Sequence, residues 1–255
     1  MNRIDKVLSS KSNLLSIYFT SGFPKIEDTI PTMKALQSAG VDMLEIGLPF
    51  SDPLADGPVI QQSSQVALQN GMSTEKLFQQ LENIRDEINI PLIAMGYFNA
   101  MFQYGVEKFC QRCASLGIDG IIMPDLPLDV YEKEYKSIFE ANGLHFICLI
   151  TPQTSEERIR KIDEISKGFI YMVSTASTTG KSDGFGEEQT SYFKRIQSMN
   201  LKNPCIVGFG IKDKKSFEQA CTYAKGGIIG SAFIKHVEKH GVENIDRFIK
   251  EIKAS

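Results

Sequence analysis

No apolar run in the 255 residues approaches the roughly 20 that a membrane-spanning helix requires. Neither sign of charge dominates: 28 lysines and arginines stand against 31 aspartates and glutamates, and a net charge of −3 leaves no electrostatic footprint for nucleic acid or a membrane surface. Cysteine is sparse, five residues in no framework spacing, as a reducing compartment favours. Cys110 and Cys113 form a CxxC, but no second CxxC and no nearby histidine completes a metal site. The pair falls inside a helical pattern and reads as buried helix cysteines, with no metal. Histidine is sparser still, at three. His236 and His240 have i,i+4 spacing without the glutamate that follows the first histidine of a zinc-protease motif, so they read as a solvated helix face. His145 reads as the opening of a strand. Met1 to Leu8 reads as a short amphipathic helix with no apolar stretch behind it, unlike a signal peptide. These absences predict a cytoplasmic protein without nucleic-acid or membrane partners.

What the chain does contain is a regular alternation. Short apolar runs predict strands at Leu14–Thr20, Val41–Gly47, Pro91–Met95, Gly120–Met123, Leu144–Ile150, Phe169–Val173, Cys205–Val207 and Gly227–Ile229. Helical patterns lie between them, at Ile26–Ala39, Val59–Gln69, Thr74–Glu87, Val106–Leu116, Val130–Ala141 and Ser155–Ser166, with one or two more closing the chain. Apolar strands alternating with amphipathic helices predict a parallel sheet covered on its outer face. Eight strands in 255 residues match a (β/α)8 TIM barrel, here with an extra N-terminal helix. A doubly wound sheet is the alternative, yet Thr20-Ser21-Gly22-Phe23-Pro24 lacks the glycine-rich dinucleotide turn expected after its first strand. No linker divides the chain, so residues 1–255 are expected to form a single domain. In such a barrel the chemistry sits on the loops that follow the strands.

The stretch from Leu44 to Pro58 begins as a strand, breaks at Gly47 and carries Glu45 and Asp56 into a proline-rich loop. A carboxylate within Met43-Leu44-Glu45-Ile46 is expensive to bury, its pKa is expected to rise, and such groups cluster where protons are transferred. The prolines stiffen the loop that presents the second acid. Late in the chain, Gly208-Phe209-Gly210 and Gly230-Ser231 follow adjacent strands. There backbone amides and a helix N-terminus can cradle a phosphate, although either motif alone would read as a turn. Ser174 to Gly186, long and polar with three glycines, reads as a lid, a disordered surface loop being the alternative.

Leu44-Glu45-Ile46-Gly47-Leu48-Pro49-Phe50-Ser51-Asp52-Pro53-Leu54-Ala55-Asp56-Gly57-Pro58-Val59-Ile60-Gln61 resembles the signature of the tryptophan synthase alpha chain family. Met123-Pro124-Asp125-Leu126-Pro127, Gly208-Phe209-Gly210-Ile211 and Gly230-Ser231-Ala232 follow in the order of that family, so the similarity spans the chain. The resemblance implies a carbon–carbon lyase of tryptophan biosynthesis, cleaving indole-3-glycerol phosphate to indole and glyceraldehyde 3-phosphate by a retro-aldol step. It implies Glu45 as the acid and base, Asp56 at the indole nitrogen, and Tyr171 beside Glu45. Phosphate binding is carried over to Gly180, Gly210, Gly230 and Ser231, and the indole pocket to Tyr18, Tyr97, Ile150 and Phe209. Thr179 of the lid matches a threonine that bonds Asp56 on closure.

The resemblance further implies a β chain partner in an α2β2 heterotetramer, with pyridoxal phosphate in that partner and no cofactor in this chain. Pro49, Asp52, Pro53, Asn99 and Asp125 match positions that face it. Two departures stand out. Position 18 is tyrosine where phenylalanine is common, which adds a hydroxyl needing a partner, and the lid lacks the arginine-glycine-valine pattern of better-known members. Structural readings stand beside the functional ones: Glu45 paired with a barrel lysine, Asp56 capping the next helix, Tyr171 as core. So do a free-standing lyase, a non-catalytic sugar-phosphate-binding barrel, and a phosphate-binding barrel isomerase.

Overall fold

Inward and outward side chains alternate along every strand, and that alternation builds two concentric apolar layers. The computed structural model describes residues 1–174 and 185–253. Its strands are β1 (Leu14–Thr20), β2 (Met43–Gly47), β3 (Leu92–Met95), β4 (Gly120–Ile122), β5 (His145–Phe146), β6 (Leu149–Ile150), β7 (Ile170–Val173), β8 (Cys205–Gly208) and β9 (Gly226–Ile229). Leu14, Met43, Ile93, Ile122, Ile147, Phe169, Ile206 and Ile228 fill the inside, while their neighbours Leu15, Leu44, Leu92, Ile121, Phe146, Ile170, Val207 and Ile229 pack outward under the helices. Burial on both faces explains why these strands read as continuous apolar runs.

All recorded pairings are parallel, in the order β5-β4-β3-β2-β1-β9-β8-β7-β6. The two ends of that order are halves of one segment. Ile147 N donates to Ile121 O at 3.0 Å on one side, and Tyr171 N to Cys148 O at 2.9 Å on the other, so the sheet closes into a barrel of eight segments. The single strand predicted at Leu144–Ile150 is therefore two short ones. The break falls where Cys148 N donates to the Ser166 hydroxyl (3.2 Å) instead of continuing the ladder.

The first helix, α1 (Arg3–Ser10), plugs the N-terminal end of the barrel with Ile4 and Leu8, which belong to the interior cluster. It is pinned by Arg3 on Asp119 (3.0 Å) and by His145 against Asp5 (2.9 Å). Around the barrel run α2 (Thr29–Ser38), α3 (Pro58–Gln69), α4 (Thr74–Gln80), α5 (Phe98–Tyr104), α6 (Val106–Ser115), α7 (Leu128–Val130), α8 (Lys136–Ala141), α9 (Glu156–Ile165), α10 (Glu187–Ser198), α11 (Lys214–Tyr223), α12 (Ser231–His240) and α13 (Ile245–Lys253).

Three helix expectations change. The pattern at Thr74–Glu87 breaks because Asn83 adopts a left-handed conformation (φ +61°), leaving α4 and a 3₁₀ turn. The pattern at Val130–Ala141 is interrupted by a wide turn over Tyr131–Tyr135. The helix α5 had no periodic signal and was not expected. Cys110 and Cys113 are buried in α6, as read, and burial pushes the Cys110 thiol up to about 12. Among the described residues no helix is long and apolar enough to cross a membrane.

Candidate active site

Glu45 points into the barrel from the middle of β2 and is fully buried. Its Oε1 accepts a hydrogen bond from the Ser16 hydroxyl at 2.9 Å, whereas Oε2 is buried without a partner. Burial disfavours the ionised form and pushes the pKa up to about 8, with the Ser16 bond opposing the rise. Among the described residues no lysine is bonded to this carboxylate, and its one recorded partner is the Ser16 hydroxyl. A group so poised can both donate and accept a proton near neutrality.

Asp56 lies where the rigid loop after β2 turns into α3. It does not cap that helix: Gly57 is the N-cap and Pro58 opens the first turn, its missing N–H harmless there. The carboxylate instead accepts from the Tyr97 hydroxyl at 3.0 Å. That hydroxyl in turn accepts from Ala55 N at 3.1 Å, and the Tyr97 ring stacks on Phe50 with centroids 5.0 Å apart. Burial raises the Asp56 pKa, and the Tyr97 bond opposes it.

Tyr18 and Tyr171 flank the two acids. Tyr18 is the register partner of Glu45 across β1 and β2. Both phenols are pushed up by burial foremost; Asp56 is the largest neighbouring charge for Tyr18 and Glu45 for Tyr171, so both rings stay neutral. Each ring has its space because a glycine ends a neighbouring strand. A Cβ at Gly47 would run into the Tyr18 hydroxyl, and one at Gly208 into the Tyr171 hydroxyl. These are steric constraints on two glycines, which the sequence presents as a strand break (Gly47) and as part of a phosphate motif (Gly208).

A cavity of about 680 Å³ opens above this floor, walled by Tyr18, Asp56, Met95, Tyr171, Phe209 and Ile228 and continuing to Gly210, Gly230 and Ser231. Across the mouth from the acids, Phe209 and Gly210 both have positive φ (+66° and +75°), and Ser174 Oγ donates to Phe209 O at 2.7 Å to hold that turn. Beside it Gly230 precedes Ser231, the first residue of α12, and no side chain caps the helix. The first amides of α12 and the helix dipole thus face a cavity wall, a ready anion cradle. Ser16 and Ser174 escaped sequence reasoning; the one available signal for Ser16 was its sharing an inward parity with Tyr18.

Other expected residues fall elsewhere. Thr179 and Gly180, with most of the expected lid, lie outside the described residues. Tyr97 reaches the site through Asp56 and not as cavity wall. Ile150 belongs to the outer layer beneath the helices, and it is Leu149 that packs against the interior, because a shift of one residue in a strand reverses its face. On the rim, Asp52, Asn99 and Asp125 are exposed and Pro49 half-buried, while Pro53 is buried in the turn where its carbonyl accepts from Asp56 N at 3.0 Å. Asp125 Oδ1 caps the start of α5 through Phe98 N at 2.8 Å. Leu54 (89% exposed) and Phe102 (56%) stand on this side as unanticipated apolar groups. His240 is exposed as expected, whereas His236 is half-buried, bonded to Asn244 O at 3.0 Å and packed on Phe248.

A closed parallel barrel with a buried carboxyl of raised pKa at its heart, a second acid beside it and an uncapped helix start across the mouth has the architecture of an acid–base enzyme for a phosphorylated substrate. Comparison with known proteins narrows this. The family profile described as Tryptophan synthase alpha chain matches residues 4–254. Tryptophan synthase alpha chains of Christiangramia forsetii (60% identity, 100% of this chain and 99% of the relative) and Flavobacterium johnsoniae (61%, 99% and 100%) are similar over their full length. Among solved structures, tryptophan synthase subunit alpha of Legionella pneumophila superposes with a TM-score of 0.89 at 32% identity, over 99% of this chain and 97% of that one. A chain of tryptophan synthase from M. tuberculosis in an aminoacrylate-bound form gives 0.87 at 27%, over 99% and 98%. The chain belongs to the tryptophan synthase alpha chain family. It is a lyase of tryptophan biosynthesis that cleaves indole-3-glycerol phosphate to indole and glyceraldehyde 3-phosphate, and it works with a β chain.

Proposed function

We propose that Glu45 carries both proton transfers of this cleavage and Asp56 holds the charge that develops between them. Protonation of indole C3 places positive charge on the ring nitrogen. Loss of the proton from the adjacent side-chain hydroxyl then lets its oxygen form the aldehyde carbonyl. The carbon–carbon bond breaks, its electron pair returns to the ring, and the nitrogen is again neutral. The observation that carries this reading is the Glu45 carboxyl, held near a pKa of about 8 with one oxygen unpartnered. Asp56, oriented by Tyr97, supplies a fixed anion for the ring nitrogen. Tyr171, packed edge-on against Phe209, lies beside the carboxyl and walls the pocket with Tyr18. Gly210, Gly230 and Ser231 bind the phosphate, together with Gly180, and Thr179 meets Asp56.

These steps need only proton transfer and charge stabilisation, so this chain works without a cofactor and pyridoxal phosphate belongs to the β chain. Residues 1–255 act as one barrel domain in the cytoplasm, a placement supported by five free cysteines. The rim of Pro49, Asp52, Asn99 and Asp125, joined by the exposed Leu54 and Phe102, faces the β chain in an α2β2 assembly. Pro53 shapes the loop from beneath.

The test is indole release from indole-3-glycerol phosphate by purified protein, with and without β chain. Glu45→Gln should lower kcat by roughly 100-fold or more while substrate still binds. Turnover like that of the wild type would overturn the assignment of Glu45, and absence of β-chain binding and activation would make the protein a free-standing lyase.

A further inference from the structure

A serine in the run Leu14-Leu15-Ser16-Ile17 is chemically out of place. It is fully buried inside the barrel, where a hydroxyl is destabilising unless it is bonded. Its bond goes to Glu45. Ser16 lies opposite Met43, one inward position deeper than Glu45, and its Oγ stands 2.9 Å from Oε1. The second oxygen, Oε2, is left without a partner. The remaining titratable groups that face Glu45 are the phenols of Tyr18 on β1 and Tyr171 on β7, with Asp56 at the loop beyond, while β3 presents Ile93 and Met95.

We propose that Ser16 is a positioning residue for Glu45: its hydroxyl clamps Oε1 and leaves Oε2 as the oxygen that exchanges protons with the substrate. The inference rests on Glu45 being the proton-transfer group. A carboxyl with two equivalent, unclamped oxygens would sample several rotamers, of which one is productive. Tying one oxygen removes that freedom and presents the other in a fixed direction. The same bond favours the ionised carboxyl, so Ser16 sets the protonation balance as well as the orientation.

Removing the hydroxyl takes a stabilising bond from the ionised form, so the Glu45 titration must move to higher pH. The direction is the same whether the reaction first needs the acid or the carboxylate, since either limb of the pH–rate profile follows the same group. The expected shift in Ser16→Ala is upward by about one pH unit. It should be read in two ways on the whole protein: the 13C titration of the Glu45 carboxyl without substrate, and the pH dependence of kcat for indole release. KM should stay within about twofold, because Ser16 touches no substrate, and Ser16→Thr should bring both midpoints back. A carboxyl midpoint unchanged in Ser16→Ala, or shifted equally in Ser16→Thr, overturns the proposal. A midpoint that moves while the rate limb stays put overturns the role of Glu45 and, with it, the catalytic meaning of the clamp. An unchanged titration beside a lowered melting temperature would make Ser16 a packing residue.

Discussion

Replacing Glu45 with glutamine probes the buried carboxyl through folding alone, with no assay of catalysis. In the unfolded chain this group titrates near its ordinary 4.5, and in the barrel burial raises it to about 8. Between those values the folded state binds more protons than the unfolded one, so stability falls as pH rises. The contribution is present in full below about pH 4.5 and is lost progressively as pH climbs through the folded value of about 8. A separation of about 3.5 units sets a ceiling of about 5 kcal/mol, and entry of water around the ionised group reduces that to roughly 2–4 kcal/mol. Glutamine keeps the shape, offers an oxygen to Ser16 and never ionises. Denaturant unfolding of both proteins at about pH 5 and about pH 9 should therefore show Glu45→Gln gaining roughly 2–4 kcal/mol on the wild type across the interval. Other groups titrate over this range in both proteins alike, so the difference isolates Glu45. A difference independent of pH, or one in which the wild type gains on Glu45→Gln as pH rises, would refute the claim that the carboxyl is buried without a charge partner.

Two further substitutions test the walls of the site. Gly208→Ala places a methyl group against the Tyr171 hydroxyl, so stability should drop by about 1–3 kcal/mol and kcat should fall more than KM changes, measured by melting and by indole release. Tyr97→Phe keeps the stack on Phe50 but removes the donor to Asp56, which should raise the Asp56 pKa further and lower kcat/KM by about 10-fold. A near-normal melting temperature would accompany that loss, because the ring and its packing remain.

Much of the fold was legible because its signals are local. Strand β1 read correctly at both ends, and the helix α6 was legible from its apolar spacing. Errors came where tertiary contacts override propensity. Leu144–Ile150 looks like one strand, yet a side-chain hydroxyl of Ser166 takes the Cys148 amide and splits it. The assignment of Ile150 failed by one residue, which is enough to turn a side chain from the pocket to the helix layer, and it is Leu149 that faces in. Helix α5 carried no warning in its spacing, because its start is secured by Asp125 from a distant loop.

The sequence by itself determined the alternation of apolar strands with helices, the two acids on either side of a rigid turn, and the late glycine motifs. Each depends on residues close together in the chain, so pattern and propensity suffice. Only the tertiary structure decided what those groups meet. It brought Ser16 to Glu45 across 29 positions and Tyr97 to Asp56 across 41, and lined one cavity with Gly230, Tyr18 and Tyr171. It also left one oxygen of Glu45 buried and unpartnered. The pKa of a carboxyl depends on the solvent it loses and the donors it gains, and closure of the barrel sets both.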